Sequence, residues 1–130
     1  DSIKDVISRL DDTTKGYDNH FLNIAIAYGG QNELVDAVKK IGNKIEEGKL
    51  DAKDIDKHVI EENLYTSYLP QPSADMILRT SGEKRMSGFL MWQSAYSELV
   101  FLDVFWPGFR KIDLMRAIRV FQKRKRRIGK

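Results

Sequence analysis

Between Arg79 and Ser87 the sequence reads RTSGEKRMS, the densest run of chemistry-bearing side chains in the chain. Arg79 closes a short apolar stretch, Asp75 to Arg79 (DMILR), which reads as a buried strand followed by a turn at Thr80-Ser81-Gly82. In open parallel sheets, ligands bind beyond the carboxyl ends of the strands, so the Arg79 guanidinium is expected to face such a crevice. Arg85 and Ser87 follow at the expected start of the next helix, whose free backbone N–H groups would add to the same site. Two planar N–H forks, a hydroxyl and a helix start describe an anion site, and phosphate is the natural guest. The same spacing also suits an ordinary surface network in which Arg79 and Arg85 pair with Asp75 and Glu83.

Glu98 is the next candidate, a lone carboxylate in an apolar and aromatic stretch (WQSAYSELVF). It could take a hard cation such as Mg²⁺, which accepts one or two protein carboxylates together with phosphate oxygens, or it could pair with a neighbouring arginine. Tyr28-Gly29-Gly30 reads as a strand-to-helix turn where a backbone or a ligand can come close. His20 and His58 have no partners at metal-binding spacing and read as surface residues. There is no Ser-His-Asp constellation, no phosphate-loop motif and no dinucleotide fingerprint; Gly29-Gly30 lacks the third glycine.

These residues need a frame to position them. Ile3, Val6, Ile7 and Leu10 fall at helical spacing before Gly16, and Phe21 to Tyr28 (FLNIAIAY) reads as a strand apolar on both faces. Leu34, Val38, Ile41 and Ile45 form one stripe of a helix running to about Gly48, with Asn32 as N-cap. A short helix capped by Asp51 or Asp54 carries Ile55, Val59, Ile60 and Leu64. Phe89, Trp92, Tyr96 and Leu99 predict a helix from Ser87, and Leu99 to Trp106 (LVFLDVFW) a strand stopped by Pro107-Gly108. Asp113 caps a last helix with Leu114, Ile118 and Phe121 on its apolar side. Strands alternating with helices predict an α/β fold, a parallel-sheet layer with flanking helices. Three strands, each apolar on both sides, make too small a sheet to cover its own faces, so the chain is expected to be part of a larger domain with further strands before residue 1.

Composition sets the limits. The chain has 130 residues, 42% hydrophobic and 32% charged, with no run near the ~20 apolar residues of a spanning helix. Without cysteine, disulfide scaffolds, thiol catalysis and cysteine-ligated zinc are excluded. Between Arg110 and Lys130 ten lysines and arginines face one aspartate, whereas the preceding residues are net acidic. A basic end on an acidic body suits an anionic partner, or a solvated helix face with cations near its C-terminal dipole.

Arg79 to Pro107 (RTSGEKRMSGFLMWQSAYSELVFLDVFWP) closely resembles the signature of the cis-prenyltransferases, the undecaprenyl and dehydrodolichyl diphosphate synthase family. Leu22 to Leu34 (LNIAIAYGGQNEL) resembles another motif of that family's C-terminal half, and Arg127-Ile128-Gly129 its terminal Arg-x-Gly. The resemblance implies Mg²⁺-dependent sequential cis-condensation of isopentenyl diphosphate onto an allylic diphosphate, farnesyl or geranylgeranyl, to give a long-chain polyprenyl diphosphate. It places Arg79, Arg85, Met86 and Ser87 on the diphosphate of isopentenyl diphosphate, Glu98 on Mg²⁺, and Arg127 and Gly129 in a tail reaching the partner subunit's active site. It further implies a homodimer, cytoplasmic and suited by its basic end to peripheral contact with an anionic membrane surface, without nucleic acid as a partner.

Two departures stand out. Gln31 occupies a position where many members have Arg, and nothing here matches the family's N-terminal Asp-Gly-Asn-Arg-type motif. Residues 1–130 are therefore expected to form the C-terminal half of a single cis-prenyltransferase domain, an incomplete part of that fold, with no catalytic residue of its own and the N-terminal half absent from the chain. The alternative is a non-catalytic subunit of a heteromeric enzyme; the presence of Arg79, Arg85 and Ser87 favours a catalytic-type chain.

Overall fold

The computed structural model describes residues 2–124. Four helices and two strands follow one another: α1 (Ile3–Thr14), α2 (Gly30–Glu46), α3 (Lys57–Glu61), β1 (Met76–Arg79), β2 (Glu98–Phe101) and α4 (Lys111–Lys123). Short 3₁₀ turns lie at Ala52–Asp54 and Trp106–Gly108. The strands pair in parallel, Met76 opposite Glu98 through Arg79 opposite Phe101. The architecture is thus α/β with a small parallel sheet and flanking helices, as the residue pattern predicts. None of the helices among the described residues is long and apolar enough to cross a membrane.

Local chemistry explains where the helices begin. Ser2 caps α1: its Oγ accepts from the Asp5 N–H at 3.3 Å while the Asp5 carboxylate accepts from the Ser2 N–H at 2.9 Å. The N-cap of α2 is Gly29, not Asn32; the Gly29 carbonyl accepts the first helical bond, from the Glu33 N–H at 3.0 Å, and Asn32 lies inside the helix. Asp56 caps α3 through the Val59 N–H at 2.9 Å, a role assigned to Asp51 or Asp54 on sequence alone. In α4 the cap position belongs to Arg110, and Asp113 sits within the first turn, its carboxylate reaching back to the Arg110 N–H at 3.1 Å.

The core is small: Ala37, Ile41, Leu64, Val100 and Ala117 are its buried apolar residues. It joins α2 to α3 and α4 to β2. Two expected elements do not form. Residues 21–28 are irregular and open to solvent, with Leu22 86%, Ile24 71% and Ile26 67% exposed. A strand is held by ladder hydrogen bonds to a neighbour, and among the described residues β1 and β2 pair only with each other; Ala27, at φ 53°, also ends the extended run. Residues 87–96 form a succession of turns instead of a helix, because Ser87, Gly88 and Leu90 have φ of 51°, 74° and 47°, which a right-handed helix does not admit. The later strand is also shorter than the LVFLDVFW run: it begins at Glu98 and ends at Phe101.

Candidate functional site

β1 delivers Arg79 to the carboxyl end of the sheet. The chain then turns through two successive left-handed residues, Ser81 (φ 73°) and Gly82 (φ 72°). Their N–H groups donate to the Val104 and Leu102 carbonyls at 2.8 and 3.0 Å, which ties the turn to the segment after β2. Beyond it, residues 85–89 fold back over the strand end. The Arg79 Nη1 donates to the Ser87 Oγ at 2.9 Å and to the Arg85 carbonyl, so one guanidinium joins the strand to this loop.

Arg79, Arg85, Met86 and Ser87 all line one cleft of about 320 Å³, with Tyr28 opposite. The four residues expected to act together are therefore together. The Arg85 side chain is turned outward and pairs with Glu83 at 2.6 Å, the guanidinium largely and the carboxylate partly in solvent. An exposed pair of this kind contributes little, roughly 0–1 kcal/mol, and leaves the guanidinium free to turn toward an anion. Half of the surface-network alternative is thus present, for Arg85 but not for Arg79, which bonds within the cleft instead. Ser87 lies in a turn and not at a helix start, so the backbone contribution expected from one is not made there.

Tyr28, which lines the cleft, is held by a buried network that the sequence reading did not single out. Glu33 is 1% exposed and accepts from the Tyr28 hydroxyl, from the Tyr65 N–H at 2.9 Å and from the Gln93 Nε2 at 2.9 Å. Burial first, and then the Glu33 carboxylate, push the Tyr28 hydroxyl well above the ordinary tyrosine range. The Tyr28 ring meets Phe89 edge-on, centroids 5.6 Å apart. The first N–H of α2, on Gly30, is taken by the Gly88 carbonyl at 3.1 Å, the close backbone approach expected of Gly29-Gly30. A signal for Glu33 did exist: it stands in phase with Ala37 and Ile41, the buried face of α2, whereas Val38 of the expected stripe is exposed.

Glu98 is not in the cleft. It opens β2 opposite Met76, three residues or about 10 Å along the strands from the level of Arg79. Its carboxylate accepts from the Arg124 Nη1 at 2.8 Å, and the same nitrogen bonds the Leu99 carbonyl at 2.8 Å. No group of three or more histidine or carboxylate side chains suited to a metal occurs among the described residues. His20 and His58 are both on the surface, the latter 3.2 Å from Glu62. Arg127 and Gly129 lie outside the described residues. The cleft thus offers two cations and a hydroxyl to an anion; its chemistry is that of holding, with no paired base and nucleophile.

Comparison with known proteins bears on what that anion is. The family model for undecaprenyl diphosphate synthases matches residues 1–129. A curated tritrans,polycis-undecaprenyl-diphosphate synthase (geranylgeranyl-diphosphate specific) of Methanocaldococcus jannaschii is 53% identical over 129 residues, 99% of this chain and 46% of that protein. The protein of the same name from Methanopyrus kandleri is 51% identical over 128 residues, 98% of this chain and 46% of its own length. The crystal structure of lavandulyl diphosphate synthase from Lavandula x intermedia in complex with dimethylallyl diphosphate superposes with a TM-score of 0.94 at 34% identity, covering 98% of this chain and 54% of that one. The chain spans about half the length of the curated relatives it matches.

Proposed function

The chain belongs to the undecaprenyl diphosphate synthase family of cis-prenyltransferases, and from that premise we propose that residues 1–130 form the isopentenyl-diphosphate-binding, C-terminal half of one synthase domain. The reaction is sequential cis-condensation of isopentenyl diphosphate onto an allylic diphosphate, yielding a long-chain polyprenyl diphosphate. The names of the curated relatives favour geranylgeranyl diphosphate as the allylic primer over farnesyl. The observation that carries the reading is the convergence of Arg79, Arg85, Met86 and Ser87 on one cleft at the carboxyl end of β1.

In each cycle the terminal alkene carbon of isopentenyl diphosphate bonds to the allylic carbon, the allylic carbon–oxygen bond breaks, diphosphate leaves, and a proton is lost from the isopentenyl unit. The role of this chain is positioning. Arg79 and Arg85 hold the isopentenyl diphosphate oxygens, Ser87 adds a hydroxyl, and Met86 and Phe89 keep that end of the cleft apolar. Mg²⁺ is the proposed cofactor, and when bound it would offset charge on the leaving diphosphate. The described residues do not by themselves fit such an ion: Glu98 offers one carboxylate, engaged by Arg124, where Mg²⁺ requires six oxygens, from protein, substrate or water. Glu98 would serve only where an assembly brings further oxygens to it.

A homodimer, with the tail at Arg127 and Gly129 reaching the partner subunit's site, and cytoplasmic placement at an anionic membrane surface belong to the same proposal. The test is incorporation of labelled isopentenyl diphosphate into extractable product with geranylgeranyl diphosphate and Mg²⁺, by this chain alone and with an N-terminal half supplied. Product only in the second case is expected; turnover by the chain alone, shown by mass spectrometry to be the sole polypeptide, would overturn the division. In the protein at full length, Arg85→Ala is expected to raise KM for isopentenyl diphosphate by about ten- to a hundredfold, the loss of one charged hydrogen bond. An unchanged KM removes Arg85 from the site.

A further inference from the structure

Glu33 is the most deeply buried charged side chain among the described residues, and no Lys or Arg among them pairs with it. Burying a carboxylic group is unfavourable unless its oxygens are satisfied. Here they meet three donors from three separate parts of the chain: the Tyr28 hydroxyl before α2, the Tyr65 N–H after α3, and the Gln93 carboxamide in the turns between β1 and β2. Gln93 also donates to the Thr66 Oγ1 at 3.0 Å, and its backbone carbonyl accepts from the Ala74 N–H at 2.9 Å, just before β1.

Two of these three donors control the loop that carries Arg85 and Ser87. Tyr28 lines the cleft and supports Phe89, two residues beyond Ser87, while Gln93 anchors the far end of the same run of turns. Between them the Gly30 N–H grips the Gly88 carbonyl. Ser87 itself sits in a left-handed conformation that costs a non-glycine residue energy and persists only where its surroundings enforce it.

We infer that Glu33 is a positioning residue for the isopentenyl diphosphate cleft: by holding Tyr28 and Gln93 at once it fixes residues 85–93, so that Ser87 and Arg85 stand against Arg79. The inference rests on the reading of the cleft given above, and it concerns substrate affinity, not chemistry. Replacement by glutamine tests it sharply. The amide oxygen still accepts from Tyr65 and Gln93, and the amide nitrogen donates to the Tyr28 oxygen, so the loop keeps its anchors; alanine removes all three.

The experiment measures KM for each substrate and kcat in the protein at full length, together with calorimetric binding of inorganic diphosphate. Glu33→Ala is expected to raise KM for isopentenyl diphosphate by about tenfold or more, with kcat and the allylic KM within about threefold of wild type. Glu33→Gln is expected to keep the wild-type KM, and Tyr28→Phe to show a smaller rise than Glu33→Ala. The split between the two KM values and the rescue by glutamine separate positioning from a purely structural role. Absorbance titration checks the contact itself, since the Tyr28 hydroxyl, raised first by burial and then by Glu33, should fall partway toward the ordinary tyrosine range in Glu33→Gln. If Glu33→Ala does not fold, Tyr28→Phe and Glu33→Gln carry the test. A folded Glu33→Ala with unchanged isopentenyl KM, or with both substrates weakened equally, overturns the inference alone. Wild-type protein that binds neither isopentenyl diphosphate nor inorganic diphosphate overturns the reading of the cleft, and the inference with it.

Discussion

Gly30→Ala tests whether the α2 start sets the height of the anion-binding loop. A methyl group at position 30 would stand 2.2 Å from the Gly88 carbonyl oxygen and 3.0 Å from the Met91 Cγ. Carbon–oxygen contacts settle near 3.3 Å, so the Gly88 carbonyl must retreat by about 1 Å. That movement breaks the 3.1 Å Gly30 N–H to Gly88 hydrogen bond, and Gly88 is the residue next to Ser87. The lost bond costs about 1 kcal/mol and the forced repacking about 1–3 kcal/mol, against about 1 kcal/mol regained from the better helix propensity of alanine. A net loss of about 1–3 kcal/mol is expected, or roughly 4 °C in melting temperature for each kcal/mol. The functional effect should be larger in proportion. A shift of about 1 Å in the Ser87 hydroxyl relative to Arg79 is enough to remove a charged hydrogen bond to the substrate, raising KM for isopentenyl diphosphate by about tenfold or more. Thermal unfolding and steady-state kinetics on the same preparation check both numbers. A variant with wild-type melting temperature and wild-type KM would refute the reasoning, since it would show that the loop yields without cost.

Gly42→Ala is the control within the same helix: a Cβ there meets nothing within 4 Å, so the variant should melt higher by about 0.5–1 kcal/mol with kinetics unchanged. Glu98→Gln should shift the Mg²⁺ titration of activity to higher concentration; an identical titration would leave Glu98 with its Arg124 pairing alone. Asp113 carries a pH dependence. Its partial burial would raise the carboxyl, but the Arg110 N–H and guanidinium and the Arg116 charge outweigh that and hold it below the ordinary aspartate range. A lowered folded-state value stabilises above the unfolded value and is lost as pH falls through the folded one. The melting temperature should therefore drop as pH is taken below about 4, and Asp113→Asn should flatten that part of the profile.

What the sequence made legible is what depends on neighbours in sequence. DMILR forms β1, and Arg79 ends it; six to eight residues later Arg85 and Ser87 return to it, a distance short enough for one turn to decide. The 87–96 segment was not legible, because residues in successive turns repeat at three and four just as helical residues do, and only the positive φ of Ser87, Gly88 and Leu90 separates the two. The helical phase could place Glu33 on the buried face of α2, but not its role, which comes from donors 5, 32 and 60 residues away in sequence. Hydrophobic periodicity pointed at Leu34, Val38, Ile41 and Ile45; Ile41 does pack, but in the first turns of α2 the buried face runs through Glu33 and Ala37, one position earlier than Leu34 and Val38. Phe21 to Tyr28 is the reverse case: the apolar pattern is real, but a strand also needs an edge to pair with, which is a property of another segment.

That last point accounts for the surface of the molecule. A compact protein of 15.0 kDa exposes about 7,000 Å², whereas this chain exposes 10631 Å². The excess, about 3,600 Å², is several times the ~800 Å² per partner of a standard protein–protein interface and has the scale of a core cut in two. Part of the exposed apolar surface is continuous, where Ile7 and Leu10 of α1 line one hollow with Leu22, Ile24 and Ile26, and Tyr68 bonds Asn23 in the same hollow. The Glu33 network and the Arg79 contacts, by contrast, are made within the described residues, with only the Gln93 Oε1 left buried and without a partner there. The two observations fit one division of labour. The Arg79 cleft is assembled locally by hydrogen bonds, which are directional and short in reach. The part left bare is an apolar face, whose burial depends on whatever packs against it.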